Sequence, residues 1–349
     1  MPTARVKFAI VGLAHMHAYA HVQLLRGAGA EMAAVYSDEP DRLAVFTERF
    51  PEVPVASSMD AILDDLSIGV IAGSPMPADR AKISIQAMLR GKDVLTDKPA
   101  VLSPAELDEI ERVQGQTRRI WCLFSNEHHD RRCTVLAGTL VAEGSIGRVV
   151  QTTGLGPHLL RPEIRPKWFF NPALSGGIIG DIGTHQIEQF LAFTGSREAE
   201  ITLAQTGNFA NSDLPGFEDY GEVALRGDGG TGWFRVDWYT PECLGMPGDV
   251  RLMVLGTDGY IETRKYVDPA GRKGGEHVLI VNKDGARYLD TSAVVLPFGT
   301  RFLNDVRNRT ETAIPQARSF LVARLAAMAQ QMAKSLRLKP TQSLRQGNP

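Results

Sequence analysis

The sequence predicts an α/β protein in two parts: a Rossmann-like, doubly wound parallel sheet, then an α+β domain on an open, mostly antiparallel sheet with helices on one face. Before residue 125, apolar strands alternate with amphipathic helices, as in buried parallel sheets with right-handed crossovers. After residue 149, short strands alternate with Gly- and Asp-rich turns, as in antiparallel hairpins. With 349 residues, 43% of them hydrophobic, the chain is long enough for two cores.

The N-terminal part begins with a continuous apolar strand that ends at Gly12. The later strands are predicted at Met32–Tyr36, Val53–Ala56, Gly69–Ala72, Val94–Thr96 and Ile120–Phe124. The helices between them are predicted at Tyr19–Arg26, Pro40–Phe50, Met59–Asp64, Asp79–Leu89 and Pro104–Gln114. Ligands of such folds bind at the carboxyl ends of the strands. We therefore expect a dinucleotide-binding domain over residues 1–124.

The C-terminal part begins with a linking helix, predicted over Asp130–Glu143. Strands follow at Tyr220–Leu225, Thr231–Tyr239, Arg251–Leu255, Tyr260–Tyr266, Val278–Val281 and Ala286–Leu289, separated by turns such as Gly256-Thr257-Asp258-Gly259. A helix ending near Thr194 is expected to cover one sheet face, and a late helix is predicted over Arg318–Leu336. Residues 125–339 are the predicted substrate-binding and oligomerisation domain, and residues 340–349 a disordered tail.

Charge and composition argue against several classes of partner. The formal net charge of −2 gives no basis for binding nucleic acid or an anionic membrane. No stretch approaches the roughly 18 apolar residues of a membrane helix. The chain enters its first strand directly after Arg5, which leaves no room for a signal peptide. Three scattered cysteines suit neither a disulfide framework nor a zinc knuckle, so we expect reduced thiols in the cytoplasm.

The loop after the first strand keeps only the first glycine of the G-x-G-x-x-G dinucleotide pattern. Its position between an apolar strand and a helix still favours binding of a cofactor pyrophosphate. The predicted contacts are Gly12, Leu13, Ala14, His15, Met16 and His17. His17 and His21 are four residues apart, but no acidic or cysteine ligand lies nearby in the sequence. No metal site is predicted, since a histidine at a helix start can face phosphates.

Further cofactor contacts are expected at the ends of the later strands. Ser37 and Asp38 follow the second strand, and the carboxylate of Asp38 favours NAD(H) over NADP(H) by repelling a 2′-phosphate. The same residues are also typical of a turn followed by a helix N-cap. Ser74, Asp97 and Lys98 complete the predicted cofactor set. Lys98 ends a buried parallel strand, so its side chain is expected in the ligand crevice.

The stretch Ser175–Gln189 reads as two glycines followed by an amphipathic helix that continues to Thr194. Asp181 and His185 are four apart on the polar face, where we expect the carboxylate to orient the imidazole and raise its basicity. The alternative is a surface histidine with a chance acidic neighbour.

Together these features resemble the glucose–fructose oxidoreductase and inositol dehydrogenase family, known as Gfo/Idh/MocA. The resemblance rests on Gly12, on Asp97-Lys98-Pro99 where the family usually has Glu-Lys-Pro, on Gly144-Ser145-Ile146-Gly147, and on Gly176-Gly177 followed by Asp181, Gly183 and His185. It implies that Lys98, Asp181 and His185 converge beside a nicotinamide as the catalytic residues. It also implies that the free sheet face forms a subunit interface, in a homodimer or homotetramer.

Substrate contacts are expected from Lys98, Asn126, His158, Trp168, Asp181 and His185. Trp168 would stack on a sugar ring or pack in the core, and His128 and His129 begin the second domain near the crevice. The predicted function is NAD(P)-dependent oxidation of a secondary CH-OH of a small-molecule sugar, cyclitol or related polyol. The alternatives are a redox-assisted lyase or glycosidase of the same family, or a non-catalytic nicotinamide-dependent sensor.

Overall fold

The computed structural model describes residues 5–336, so the predicted tail at 340–349 lies outside the described residues. The first part contains a five-stranded, fully parallel sheet with strand order β2-β1-β3-β4-β5. Its elements are β1 Lys7–Val11, α1 His17–Gly27, β2 Glu31–Tyr36, α2 Pro40–Arg49, α3 Met59–Asp64, β3 Val70–Ala72, α4 Pro77–Leu89, β4 Asp93–Thr96, α5 Pro104–Thr117 and β5 Trp121–Leu123.

The strand predicted at Val53–Ala56 is reduced to a single bridge between Val35 and Val55. Backbone bonds from Val35 N to Pro54 O and from Ala56 N to Val35 O, 3.0 and 2.9 Å long, still hold this segment beside β2. The chain leaves the sheet after one bridge, so no full strand forms there. Strand order reverses between β1 and β3, and this switch point places a crevice at the carboxyl ends of the strands.

The second part contains a nine-stranded sheet with order β13-β12-β11-β10-β6-β9-β8-β7-β14. It is mostly antiparallel, with parallel pairs only at β6–β9 and β7–β14 among the described residues. Its elements are α6 Asn126–His129, α7 Arg132–Ala142, β6 Val149–Pro157, α8 Pro172–Ser175, α9 Thr184–Thr194, β7 Ala199–Gly207, β8 Tyr220–Gly227, β9 Thr231–Asp237, β10 Val250–Gly256, β11 Gly259–Lys265, β12 His277–Asn282, β13 Gly285–Leu289, α10 Phe298–Asn308, α11 Gln316–Met332 and β14 Lys334–Leu336.

The late helix ends earlier than the sequence indicated. The prediction carried it to Leu336, but α11 ends at Met332 and the chain becomes extended at Ala333. Residues 334–336 then pair in parallel with Gln205–Gly207 of β7. This short strand covers a sheet edge that would otherwise present unpaired backbone groups.

The C-terminal helices return to the first domain. Phe298, Phe302 and Leu303 of α10 lie in the same apolar core as Phe8 and Ile10 of β1. The helix α11 packs against α5, β5 and α9. These two helices thus link the second domain to the first. Within residues 5–336, no helix has the length and apolar composition needed to cross a membrane.

The central helix α9 is preceded by a π-helical turn, Ile179–Gly183. It ends, as predicted, at Gly195, whose φ of +69° favours glycine. The polar face was expected to be exposed, and this is wrong: Thr184 through Leu191 are all buried. The reason is that β6, α6 and α11 surround the helix. Its polar residues therefore face other buried groups.

Candidate active site

Lys98 and Asp181 come together where the two domains meet. Lys98 lies two residues after the end of β4, and Asp181 lies in the π-helical turn before α9. The Lys98 ammonium donates a hydrogen bond to the Asp181 carboxylate, and the side chains are 7% and 18% exposed. Gly176 makes this approach possible. Its φ is +84°, and a Cβ there would lie 2.8 Å from Pro99.

Electrostatics keep the Asp181 carboxylate ionised. Burial by itself would raise the pKa of Asp181, but the charge of Lys98 and its hydrogen bond lower that pKa well below the usual range. The site therefore contains an ammonium–carboxylate pair at neutral pH.

His185 does not pair with Asp181, which corrects the prediction made from their spacing. Its Nδ1 lies 2.8 Å from the hydroxyl of Ser125, a fully buried residue just after β5. Asp181 turns instead to Lys98, because the π-helical turn changes its direction relative to α9. Burial lowers the pKa of His185 to about 3, so its imidazole is neutral at neutral pH.

A buried carboxylate that the sequence did not reveal lies behind His185. Glu127 lies close to several polar side chains. Lys265 Nζ is 2.9 Å from the backbone carbonyl oxygen of Glu127 and 3.5 Å from its Oε2. His158 Nε2 is 3.7 Å from Oε1 of Glu127. Gln186 Nε2 lies 3.4 Å from Oε2. Burial would raise the pKa of Glu127, but Lys265 and the nearby histidines lower it to about 2. Its charge raises the pKa of His185 and opposes the effect of burial.

The predicted phosphate-binding loop lies at the carboxyl end of β1. The helix α1 begins at His17 with no side-chain cap and no acidic residue in its first turn. The amides of its first turn already have acceptors, since His17 N donates to His15 Nδ1, Ala18 N to His15 O and Tyr19 N to Met16 O. Gly12 has a different role, since its φ is +84° and a Cβ there would lie 2.3 Å from Pro75. This glycine is required for packing of the loop.

Asp97 contacts the loop at His17 and two further polar side chains outside the loop, Ser74 and Arg80. Its carboxylate accepts from Ser74 Oγ, lies 2.9 Å from His17 Nδ1, and lies 3.3 Å from Arg80. Burial would raise the pKa of Asp97, but His17 and Arg80 lower it well below the usual value. No metal was predicted here because an acidic ligand was lacking in sequence. In space Asp97 supplies one, and His15, His17 and Asp97 offer ligand atoms within 4.8 Å of one another.

The end of β2 places an unpredicted carboxylate beside the loop. Ser37 Oγ accepts from the backbone N of Leu13 at 3.1 Å and donates to the Glu39 carboxylate. Asp38, the predicted determinant of NAD(H) preference, is exposed and accepts from the Tyr36 hydroxyl. The acidic group bonded to the loop-facing serine is therefore Glu39.

The predicted substrate residues do not all lie next to the Lys98–Asp181 pair. His158 lies near the charges of Lys98 and Asp181, while the Oδ1 atom of Asn126 is buried and has no hydrogen-bond partner among the described residues. Trp168 packs against the core, and it is Phe169 and Trp238 that line a small cavity with Asp181. His128 and His129 face a different acidic residue, described below.

Two family models match this chain, together covering most of it. Residues 6–122 match the oxidoreductase family with an NAD-binding Rossmann fold, and residues 134–262 match the GFO/IDH/MocA C-terminal domain. A solved structure from Erwinia carotovora atroseptica is 43% identical over 95% of this chain and all of that one, with a TM-score of 0.93.

More distant similarities include characterised enzymes. The structure of levoglucosan dehydrogenase with NADH and levoglucosan shares the fold, with a TM-score of 0.78 at 17% identity over 95% of this chain and 97% of that one. The scyllo-inositol 2-dehydrogenase (NADP(+)) of Bacillus subtilis is 23% identical over 50% of this chain and 49% of its own length. The matched region thus spans about half the length of the curated relatives.

Proposed function

The chain belongs to the Gfo/Idh/MocA family of oxidoreductases, and on that premise we propose that it is an NAD(P)-dependent dehydrogenase of a sugar, cyclitol or related polyol. The observation that carries the proposal is the buried set formed by Lys98, Asp181 and His185 at the carboxyl end of the first sheet. Two of the relatives are named for polyhydroxylated ring substrates, levoglucosan and scyllo-inositol. The reaction is oxidation of a secondary CH-OH to a ketone.

In this proposal His185 accepts the proton of the substrate hydroxyl. Its Nδ1 is engaged by Ser125, which leaves Nε2 as the accepting atom when Nδ1 carries the hydrogen. The Lys98 ammonium donates a hydrogen bond to the same substrate oxygen and stabilises the negative charge that develops there. Asp181 positions Lys98 through the hydrogen bond between them. The bound nicotinamide supplies the chemistry of hydride acceptance.

The cofactor site favours NAD(H) over NADP(H). The loop between β1 and α1 lies at the carboxyl end of β1, where dinucleotide folds bind the pyrophosphate shared by both cofactors. Preference depends on the end of β2, where Ser37 holds the carboxylate of Glu39 next to the loop. A carboxylate at this position accepts hydrogen bonds from ribose hydroxyls and repels a 2′-phosphate.

Assembly and location belong to the same proposal. Val150, Met253 and Leu255 are exposed apolar residues of neighbouring strands β6 and β10. A second copy of the chain covering this surface would form the homodimer or homotetramer.

The cysteines Cys122, Cys133 and Cys243 are all free thiols, which supports a reducing, cytoplasmic location.

The deciding experiment combines thermal unfolding with turnover. Purified protein is heated with NAD, NADH, NADP and NADPH in turn, and a ligand at a hundredfold its Kd should stabilise it by about 2.7 kcal/mol. A panel of sugars and cyclitols is then screened with the cofactor that binds. Lys98→Ala and His185→Ala should abolish turnover while keeping the thermal shift, whereas the exposed control Lys273→Ala should behave as wild type.

Two results would contradict the proposal. One is near-normal turnover in Lys98→Ala or His185→Ala. The other is the absence of any nucleotide shift in a preparation shown to contain no bound nicotinamide.

A further inference from the structure

His128 and His129 meet Glu188 on α9, one turn beyond His185. One nitrogen of each histidine and one oxygen of Glu188 lie within 4.8 Å of one another. His128 Nδ1 is 2.5 Å from Glu188 Oε2, and His129 Nε2 is 3.6 Å from Oε1. Glu188 is fully buried and His129 is 8% exposed. Two imidazoles and one carboxylate thus surround a single point in the interior.

One pair of atoms in this cluster lacks a hydrogen bond. His129 Nε2 and Glu188 Oε1 have no hydrogen-bond partner among the described residues, although both are buried. Their separation of 3.6 Å is too long for a hydrogen bond. Leaving such buried atoms unsatisfied is destabilising, because each has lost its hydrogen bond to water without a replacement. Burial of an unpaired donor or acceptor calls for a bound partner.

The separation matches two ligands of one metal ion. Zinc binds histidine nitrogen and carboxylate oxygen at about 2.0–2.2 Å, so two ligand atoms at a tetrahedral angle stand roughly 3.4 Å apart. A gap of 3.6 Å needs a change of only a few tenths of an ångström. His128 Nδ1, which is 2.5 Å from Oε2, is the third ligand atom, and coordination of the metal would replace its hydrogen bond to the carboxylate.

Aromatic packing holds both imidazoles in place. The His128 and His129 rings stack with centroids 4.4 Å apart. His129 also stacks on Phe298 at 4.4 Å, and His128 on Phe193 at 5.8 Å. Rings fixed on both faces keep their nitrogens directed at Glu188 without further ordering on binding. Such a site is preorganised.

A route from solvent leads to the cluster. A cavity of about 640 Å³ is bordered by His128, His129, Phe298, Arg301, Glu311 and Arg318. Arg301 and Arg318 oppose the approach of a cation, but they favour hydroxide or another anion as an additional ligand. The cavity can therefore supply the open coordination position.

We propose that His128, His129 and Glu188 form a binding site for a divalent transition-metal ion of the Zn²⁺ type. Two imidazoles and one carboxylate with an open position are a common ligand set for such ions. The site joins α6, just after the first sheet, to α9, one turn beyond His185. A metal there would fasten the helix that carries His185 to the domain junction. The proposal is independent of the substrate and cofactor proposed above.

The test is metal binding by the full-length protein after chelator treatment and removal of the chelator. Zn²⁺ titrated in a calorimeter should bind at one site per chain and raise the Tm. Glu188→Gln and His129→Ala should weaken this binding at least tenfold. His15→Ala, which disrupts the other cluster of possible ligands (His15, His17 and Asp97), should bind Zn²⁺ as wild type.

Three outcomes would overturn the proposal: no Zn²⁺ binding by wild type, unchanged affinity in Glu188→Gln, or loss of binding in His15→Ala alone. If the variants fail to fold, X-ray absorption of the wild-type zinc complex decides instead. Two imidazoles in an all-nitrogen-and-oxygen shell that is unchanged in the zinc complex of His15→Ala support the site, while a sulfur ligand would assign the metal to a cysteine.

Discussion

The Nδ1 atom of His185 lies 2.8 Å from the hydroxyl of Ser125, a residue sixty positions earlier in the chain. Both side chains are buried, and the bond crosses from the end of β5 to the start of α9. It fixes the ring of the proposed base through the junction between the domains. The proton-accepting geometry therefore depends on how the two domains dock.

Ser125→Ala should reduce kcat about tenfold and leave KM nearly unchanged, because the imidazole keeps its place but loses the partner that fixes its tautomer. His185→Ala should cost about 100-fold or more, the usual contribution of a general base. Steady-state kinetics of both variants on the same substrate check this. Equal kcat in Ser125→Ala and wild type would mean that Ser125 does not position the ring.

Asp181→Asn should destabilise the protein by about 3 kcal/mol, because it leaves the buried Lys98 ammonium without its counter-charge. Lys98→Met should also destabilise it. The double variant should lose less than the sum of the two, since neither charge then remains unpaired. Urea unfolding of the four proteins gives this cycle. Additive losses would show that the two groups do not interact in solution.

Glu39→Ala should lower the preference for NAD(H) over NADP(H) at least tenfold, by removing the carboxylate that Ser37 holds beside the loop. Kd values for the two oxidised cofactors measure the preference directly. Asp38→Ala is the matched control, and it should change the ratio little because Asp38 is exposed. A larger effect in Asp38→Ala would instead identify Asp38 as the determinant.

The free energy of unfolding should fall as the pH drops from 7 to 5.5. Burial lowers the pKa of His21 to about 4 and that of His185 to about 3, below the unfolded value of 6.5. The unfolded chain therefore binds more protons in this range, and each histidine should cost about 1 kcal/mol. His21→Gln should make the free energy of unfolding fall less steeply with decreasing pH, by the contribution of one histidine. Parallel curves for variant and wild type would contradict this.

Most elements of the fold could be predicted because their signals are local. The three hairpin turns at 227–230, 256–259 and 282–285 occur where their glycines indicated. The apolar strands β1 and β4 and the helix α3 were also recognisable. Elements that depend on distant partners were not: β6, β7, β14 and α10 escaped prediction, and the late helix was predicted four residues too long.

The candidate site divides in the same way. Lys98, Asp181 and His185 stand out by residue type and by position after a strand or in a helix. Ser125, Glu127 and Glu39 carry no such pattern, because their partners lie far away in the chain or across a turn.

The sequence by itself determined most of the strands and helices and which side chains can transfer a proton, since hydrophobic period and residue chemistry are properties of short segments. Only the tertiary structure decided which side chains form hydrogen bonds with each other. Helical spacing placed Asp181 beside His185. In the structure, which has a π-helical turn at Asp181 and two docked domains, Asp181 hydrogen-bonds to Lys98 and His185 hydrogen-bonds to Ser125. The physical reason is burial. Once α9 is enclosed on all sides, each polar group takes the partner that packing brings within hydrogen-bonding distance.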